Sequence, residues 1–143
     1  MYSGFRPSDI KNLTKNQIDL KKMEMRFYSF KTGSWYVRPI HPKLKPILKI
    51  RLSEIDAEAK LFNYTEEKNM GKALSRYLED IGLVGKNYNL RTFRKDFISR
   101  SQEAGVPINA AASLVGHKSI KTTMTYYTKL SSNFLKNELK KVI

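Results

Sequence analysis

One stretch of this chain carries a strand pattern, and it limits the β structure to a single small ribbon. Residues 23–40 alternate between apolar and polar positions and are rich in the residue types that favour strands. Residues 31–34, Lys-Thr-Gly-Ser, lie in the middle of this stretch and have the composition of a hairpin turn. Because apolar residues elsewhere recur at helical spacing, we expect a mainly α fold with a small antiparallel β-hairpin or sheet.

Residues that favour helix starts recur along the rest of the chain. Proline suits the first helical turn, and Ser, Thr and Asn side chains accept hydrogen bonds from the free amides there. The expected starts are Pro7, Pro42, Thr65, Asn89, Asn109, Ser119 and Ser132. We expect Gly105 to end the helix that begins at Asn89, and we expect the next two helices over residues 110–115 and 120 to about 128.

Two of these helices carry an apolar stripe that we predict to be buried. Positions three and four residues apart lie on one face of a helix. The stripe after Thr65 is Met70, Leu74, Tyr77, Leu78 and Ile81, and the stripe after Ser119 is Ile120, Thr123, Met124 and Tyr127. We expect both faces to pack against the core.

The chain carries far more positive than negative charge. Lys and Arg total 27 against 13 Asp and Glu, a net charge of +14, and such an excess on a folded domain favours a polyanionic partner, most often nucleic acid. Residues 54–80 have a net charge of −3, whereas residues 81–143 have +8. We therefore expect the C-terminal part to contact the polyanion, although a solvated basic face would have a similar composition.

Composition also excludes several classes of site. The chain has no cysteine and only two histidines, which excludes disulfide scaffolds, thiolate zinc sites, cysteine nucleophiles and polyhistidine metal sites. No apolar run approaches the roughly 20 residues that span a bilayer, and the N-terminus lacks the apolar segment of a signal peptide. We expect a soluble, cytoplasmic protein without membrane contact.

Residues 116–127, Gly-His-Lys-Ser-Ile-Lys-Thr-Thr-Met-Thr-Tyr-Tyr, combine a Gly-His turn with a Thr-Thr helix and two tyrosines. They resemble the C-terminal signature of the tyrosine recombinases, the phage integrase family, in which the nucleophilic tyrosine follows the histidine by nine residues. The resemblance identifies Tyr126 as the nucleophile and His117 as a second site residue. Helical spacing agrees, because Tyr127 belongs to the apolar stripe and Tyr126 lies about 100° away. Without the surrounding motif, each of the two tyrosines would be interpreted as an ordinary packing residue.

Residues 91–106 resemble the second arginine box of the family, and two registers are open. Placing Arg91 as the catalytic arginine keeps a Leu-Arg pair but leaves three extra residues before the Ala-Gly pair at 104–105. Placing Arg94 there needs no gap, and His117 then follows by 23 residues and Tyr126 by 32. We adopt Arg94. Arg91 then stands where the family has a histidine, and a guanidinium cannot accept a proton near neutral pH.

Residues 2–10 resemble the first arginine box. In that comparison Arg6 is the first catalytic arginine and Asp9 the acid that supports it. Lys31 follows Arg6 by 25 residues at the hairpin turn, where the family places its catalytic lysine, and we treat His41 as an ordinary loop residue. The resemblance thus implies six catalytic residues: Arg6, Lys31, Arg91, Arg94, His117 and Tyr126.

The resemblance implies a recombinase that cleaves and rejoins DNA strands through a 3′-phosphotyrosine intermediate. The pKa of a free tyrosine is near 10, so such a site must activate the phenol and neutralise the phosphate. Arg6 and Arg94 would bind the non-bridging oxygens, and Arg91 and His117 would add donors. Lys31 would protonate the departing 5′ oxygen. The phosphotyrosine keeps the bond energy, so we expect no cofactor, ATP or metal.

The implied partners are double-stranded DNA and further copies of the chain. Residues 133–143 predict a short amphipathic helix with the apolar residues Phe134, Leu135, Leu139, Val142 and Ile143. In the family the corresponding tail docks on a neighbouring protomer, and the alternative is that it folds back on its own domain. We expect a monomer or weak dimer alone and a homo-tetramer on DNA.

Three further expectations concern identity. The chain begins almost at the first arginine box, so we expect residues 1–143 to be a catalytic domain without the N-terminal DNA-clamping domain of the family. Arg91 and the Lys-rich composition favour the integrase of an archaeal virus or plasmid. Two rivals stay open: a basic helical module that binds DNA without catalysis, and a nicking-closing enzyme of the type IB topoisomerase kind.

Overall fold

Seven α-helices, two short 3₁₀ helices and one three-stranded sheet make up the described part of the chain. The computed structural model describes residues 2–85, 88–127 and 132–142, without the side chains of residues 127 and 132–134. In chain order the elements are α1 (Pro7–Lys11), β1 (Ile18–Asp19), β2 (Glu24–Ser29), β3 (Ser34–Pro39), α2 (Lys45–Ser53), α3 (Glu67–Asp80), α4 (Leu90–Glu103), α5 (Ile108–Val115), α6 (Ile120–Tyr127) and α7 (Ser132–Leu139). The predicted fold class, mainly α with a small antiparallel sheet, is confirmed.

The predicted ribbon is the antiparallel pair β2–β3, in which Tyr28 lies opposite Trp35. Gly33 adopts a left-handed conformation in the turn, with φ of +65°, and its amide donates to the carbonyl of Ser29 at 2.9 Å. A third strand, β1, pairs antiparallel with the start of β2. The sequence did not predict β1, because two residues are too few to show an alternating pattern.

The inner face of the hairpin forms the main hydrophobic core. Phe27 on β2 packs edge-to-face against Phe5, with ring centroids 4.7 Å apart. The buried core residues are Phe5, Leu13, Met25, Phe27, Ile40, Leu48 and Leu61. Burial of side chains of this size stabilises a fold by about 1.5–3 kcal/mol each. This packing fixes the hairpin against the segment that leads into α1.

Three of the predicted helix starts are confirmed in detail. The Asn89 side chain accepts hydrogen bonds from the amides of Arg91 and Thr92 at 3.0 and 3.1 Å, and α4 begins at the next residue. Ser119 Oγ accepts from the amide of Lys121 at 3.3 Å before α6. Pro7 is the first residue of α1. Pro42 begins a short 3₁₀ turn that leads into α2, and Gly105 follows α4 with a left-handed φ of +74°.

Two helix starts differ from the prediction. Helix α3 begins at Glu67 and has Glu66 at its N-cap without a side-chain hydrogen bond, so Thr65 is not the cap. The Thr65 carbonyl instead accepts from Lys11 Nζ at 3.2 Å. Helix α5 begins at Ile108, two residues earlier than residue 110, because Pro107 supplies an extended N-cap conformation.

Both apolar stripes are only partly buried, which corrects the prediction. On α3, Met70 and Leu78 are buried while Tyr77 and Ile81 are 60 % and 49 % exposed. The main packing partners of α3 are α1 and α4, and they cover one side of the helix. On α6, which packs against α4 and α5, Thr123 is buried but Ile120 and Met124 are about half exposed. The Tyr127 side chain lies outside the described residues.

None of the helices in the described ranges is long and apolar enough to cross a membrane.

Candidate active site

One pocket of about 650 Å³ holds all six residues that the family resemblance singles out. They come from five separate parts of the chain: the residue before α1, the β2–β3 turn, the first two turns of α4, the α5–α6 junction and the last turn of α6. The six are Arg6, Lys31, Arg91, Arg94, His117 and Tyr126. A concave site with convergent polar groups is the usual form of a binding or active site.

Arg94 links two separate parts of the main chain at the pocket. Its two terminal nitrogens donate to the carbonyl oxygens of Gly4 and Val115, each at 2.6 Å. Burial, followed by the charge of Arg6, lowers the pKa of Arg94 to about 10, so the guanidinium is still charged at neutral pH. A half-buried cation that keeps its charge without a direct carboxylate partner is available to bind an anion.

Arg6 lies beside Arg94 and is held in the same way. One terminal nitrogen donates to the carbonyl oxygen of Gly116 at 2.9 Å, and the other lies 3.7 Å from Oδ2 of the buried Asp9. Asp9 therefore lies next to Arg6, as expected from the resemblance to the first arginine box. Because Asp9 contacts only one edge of the guanidinium, part of the positive charge stays directed at the pocket.

The backbone conformation of Gly116 and the Arg38 guanidinium beside it both favour glycine at this position. It ends α5 in the left-handed region, with φ of +68°. A Cβ at this position would lie 3.3 Å from Nη2 of Arg38 and 3.7 Å from Nη1 of Arg6. A residue with a Cβ would combine backbone strain with a tight contact to the Arg38 guanidinium.

His117 is held by Thr123 from the first half of α6. Its Nδ1 lies 2.8 Å from Thr123 Oγ1, within hydrogen-bond distance, and the Thr123 side chain is fully buried. Burial, followed by the charges of Arg94, Arg6 and Lys31, lowers the pKa of His117 to about 4. The imidazole is therefore neutral at pH 7 and has one donor nitrogen and one acceptor nitrogen.

The remaining three residues line the pocket at different depths. Tyr126 is half-buried, while Arg91 and Lys31 are exposed. Arg91 lies one helical turn before Arg94 on the same face of α4. The Arg91 guanidinium also lines this pocket. Unlike Arg94, it donates no hydrogen bond to a main-chain carbonyl within the described part of the chain.

Sequence reasoning missed Arg38 and several pocket-lining residues. Arg38 lies on β3 opposite Met25, and its guanidinium stacks 4.7 Å from the Tyr36 ring centroid. A charged residue at an inward position of an alternating strand is the signal that could have indicated it. Arg38 lies behind the pocket, next to Gly116. The polar lining residues that were missed are of types common on any surface: Ser8, Thr32, Glu67, Lys95, Lys118, Ser119 and Thr122.

Comparison with solved structures identifies the fold. The chain superposes on the crystal structure of XerA recombinase with a TM-score of 0.76 and 21% identity, covering 98% of this chain and 52% of that one. The Tn1549 transposon integrase in complex with a circular intermediate DNA gives a TM-score of 0.72 and 18% identity, covering 98% of this chain and 55% of that one. These similarities are to the fold of tyrosine recombinase catalytic domains.

Comparison of sequences gives the same result. The chain is 28% identical over 142 residues to tyrosine recombinase XerA of Saccharolobus solfataricus, which covers 99% of this chain and 47% of that protein. The chain thus spans about half the length of this curated relative. The sequence model of the phage integrase family matches residues 1–133. With the pocket and the fold, this match establishes that the chain belongs to the phage integrase family.

Proposed function

We propose that residues 1–143 form the catalytic domain of a tyrosine-type site-specific recombinase, which cleaves and rejoins DNA strands. Family membership supports this reaction. The observation that carries it is that Tyr126 lines the same pocket as six cationic side chains and a neutral histidine. A phenol needs such neighbours to attack an anionic phosphodiester, since its ordinary pKa is near 10.

The two anchored arginines bind the phosphate in this proposal. Arg6 and Arg94 each use terminal nitrogens on main-chain carbonyls, and a guanidinium has five N–H donors, so further donors are available to the non-bridging oxygens. Both groups are held before substrate arrives. Donors fixed in this way stabilise the charge that develops in the transition state without reorganising.

Cleavage then moves one proton from the nucleophile and one to the leaving group. The Tyr126 oxygen bonds to phosphorus as the bond from phosphorus to the 5′ oxygen breaks. In this proposal the phenol proton goes to His117, which is neutral at pH 7 and lines the same pocket, and Lys31 gives a proton to the 5′ oxygen. The products are a 3′-phosphotyrosine and a 5′-hydroxyl strand, and the same steps in reverse rejoin the strands.

This role for His117 supplies the proton acceptor that Arg91 cannot be. The family has a histidine at that position, and Arg91 can donate to a phosphate but cannot accept the phenol proton. Arg91 therefore serves as an added phosphate donor at the pocket rim, and proton acceptance falls to His117. The chemistry needs no cofactor, because the phosphotyrosine conserves the energy of the broken bond.

Double-stranded DNA is the proposed substrate, and a tetramer on DNA the proposed assembly. The net charge of +14 favours binding to a polyanion. Two structures with the same fold, those of the Tn1549 integrase and of XerH bound to difH, are complexes with DNA. The apolar residues Leu135 and Leu139 of α7 are 51 % and 69 % exposed, which supports docking of this helix on a neighbouring protomer.

A nicked duplex that traps the covalent intermediate tests the reaction. The nick lets the short 5′-hydroxyl fragment diffuse away, so religation fails and the adduct accumulates. We expect a protein–DNA adduct that survives denaturation, with the DNA on the peptide that contains Tyr126. A protein that only binds DNA would give no adduct, and a nicking-closing enzyme would relax supercoiled DNA without exchanging strands between two sites.

A further inference from the structure

The outer face of the β2–β3 hairpin carries a row of aromatic side chains, of which Phe30 and Trp35 are exposed and Tyr28 is half-buried. Arg26, Tyr28, Trp35 and Val37 occupy the outward positions of the two strands, opposite the buried inner positions. Phe30 follows β2 in the turn and is 68 % exposed, while Trp35 is 54 % exposed. Contiguous exposed apolar area of this kind on a soluble domain marks a binding surface more often than a chance arrangement.

Contacts among these side chains hold the row in place. Phe30 and Trp35 both pack edge-on against Tyr28, with ring centroids 5.1 and 5.6 Å away. The guanidinium of Arg26 lies 4.9 Å from the Trp35 ring centroid, in a cation–π contact. The rings are therefore ordered without a partner, and binding to them costs little side-chain entropy.

The row begins at the residue next to the proposed general acid. Phe30 directly precedes Lys31, and Lys31 lines the phosphate pocket. From Phe30 to Arg26 the strand extends about 13 Å away from the turn. Arg26 and Lys31 place positive charge along this line, while Glu24, on the same face, lies at the end of β2 farthest from the turn.

We propose that this outer face stacks the unpaired bases at the 5′-hydroxyl end of the strand that cleavage releases. The inference rests on the proposed function, in which Lys31 protonates the 5′ oxygen, so the released strand starts beside Phe30. Aromatic side chains with adjacent cations are the usual platform for single-stranded nucleic acid, and sheet aromatics stack two or three bases. Stacking is tolerant of sequence, which suits a strand that must be held and then exchanged.

Trp35 gives a direct readout, because it is the only tryptophan in the chain. The probe is an eight-nucleotide oligothymidylate with a 5′-hydroxyl, and its control is an abasic chain with the same number of phosphates. We expect the oligothymidylate to quench Trp35 emission and the abasic chain to leave it nearly unchanged. Phe30→Ala should weaken oligothymidylate binding about tenfold. Phe62→Ala, which removes another partly exposed aromatic ring outside the hairpin, should leave binding unchanged.

Three results would overturn the inference. Equal quenching by the abasic chain would mean phosphate contact only, and unchanged affinity in Phe30→Ala would mean that the row does not stack bases. Emission that shifts with protein concentration without DNA, together with dimer formation in light scattering, would mean that a second copy covers this face.

The two proposals fail separately. Tyr126→Phe should lose the covalent adduct and still show quenching, because it leaves the hairpin intact. Quenching without any adduct in the unchanged protein would therefore contradict the recombinase chemistry, whereas adduct formation without quenching would contradict only the base-stacking surface.

Discussion

Arg6 and Arg94 donate to the carbonyl oxygens of two consecutive residues, Gly116 and Val115. One short piece of main chain at the end of α5 therefore sets the distance between the two guanidinium groups. Like charges at close range oppose each other, and the charge of Arg6 contributes to the lowered pKa of Arg94. The carbonyl dipoles offset part of this repulsion, so both cations can face one phosphate.

Tyr126→Phe should abolish covalent adduct formation on a nicked duplex, because it removes only the nucleophilic oxygen. DNA affinity, measured by fluorescence anisotropy, should change by less than about fivefold, since one hydrogen-bonding group contributes about 1 kcal/mol or less to such a complex. The matched variant is Tyr127→Phe, which we expect to keep adduct formation. An adduct that maps to Tyr127 would shift the register of the nucleophile by one residue.

Arg94→Ala should slow single-turnover cleavage by about 10²–10³-fold or more, because it removes a fixed donor to the developing charge. It should also lower the free energy of unfolding by about 1–3 kcal/mol, since the carbonyls of Gly4 and Val115 lose their donor. Arg100→Ala on the same helix is the control. Arg100 forms an exposed ion pair with Asp96, and pairs of this kind contribute at most about 1 kcal/mol.

Arg91→His should retain partial cleavage, because the imidazole can replace one donor and also accept a proton. The measurement is the single-turnover cleavage rate beside that of Arg94→Ala. If Arg91→Ala is the more damaging of the two alanine variants and Arg94→Ala stays active, the catalytic arginine is Arg91, and the alternative alignment of residues 91–106 is correct.

Lys31→Ala should slow cleavage by about 10²–10⁴-fold on ordinary DNA, the usual contribution of a general acid. A substrate with sulfur in place of the departing 5′ oxygen should restore most of this rate, because a thiolate leaves without a proton, its pKa being near 8.5. Arg94→Ala should not be rescued by the sulfur substrate. Failure of the rescue would assign Lys31 to DNA binding and not to proton transfer.

The lowered pKa of His117 predicts a loss of stability in mild acid. In the folded chain this pKa is about 4, against 6.5 for an ordinary histidine, so the unfolded chain binds more protons between these values. The free energy of unfolding should therefore decrease as the pH falls from about 6.5 to about 4. Thermal unfolding at pH 7.5 and 4.5 measures it. His117→Asn should reduce the difference, and the control His41→Asn should not; equal pH dependence in all three proteins would contradict the lowered pKa.

Deleting residues 134–143 should impair strand exchange between two sites more than first-strand cleavage. The reason is that Leu135, Leu139 and Val142 are exposed and are free to dock on another protomer, whereas the pocket residues all precede this segment. Exchange and cleavage are measured on the same labelled substrates. Loss of the thermal transition in the shortened protein would show that the tail packs on its own domain.

The sequence predicted correctly the elements that depend on interactions between neighbouring residues. The alternating residues 23–40 gave the hairpin, and Asn89 and Gly105 gave the two ends of α4, because capping and turn formation involve neighbouring residues. Burial is different. Ile120 and Met124 satisfy the helical pattern of a core face, yet the described neighbours of α6 cover only the strip that contains Thr123. No pattern within one helix contains that information.

The candidate site was predicted through family resemblance, and its supporting contacts were not. The resemblance to the family motifs singled out six residues, and these six line one pocket. It could not indicate that main-chain carbonyls at residues 4, 115 and 116 anchor the arginines, since every residue has a carbonyl. Arg38 was missed for a related reason: its proximity to Gly116 depends on how β3 packs against the end of α5.

The carbonyl anchors also determine when during synthesis the pocket of this chain can first form. The bond from Arg6 to Gly116 joins residues 110 positions apart, and that from Arg94 to Gly4 joins residues 90 positions apart. Contacts of such separation form late in folding, because the long loop must close first. A nascent chain on the ribosome has neither the anchored pair nor the nucleophile until the region of residues 115–126 has emerged. The pocket therefore cannot be complete before nearly all of these residues have been translated.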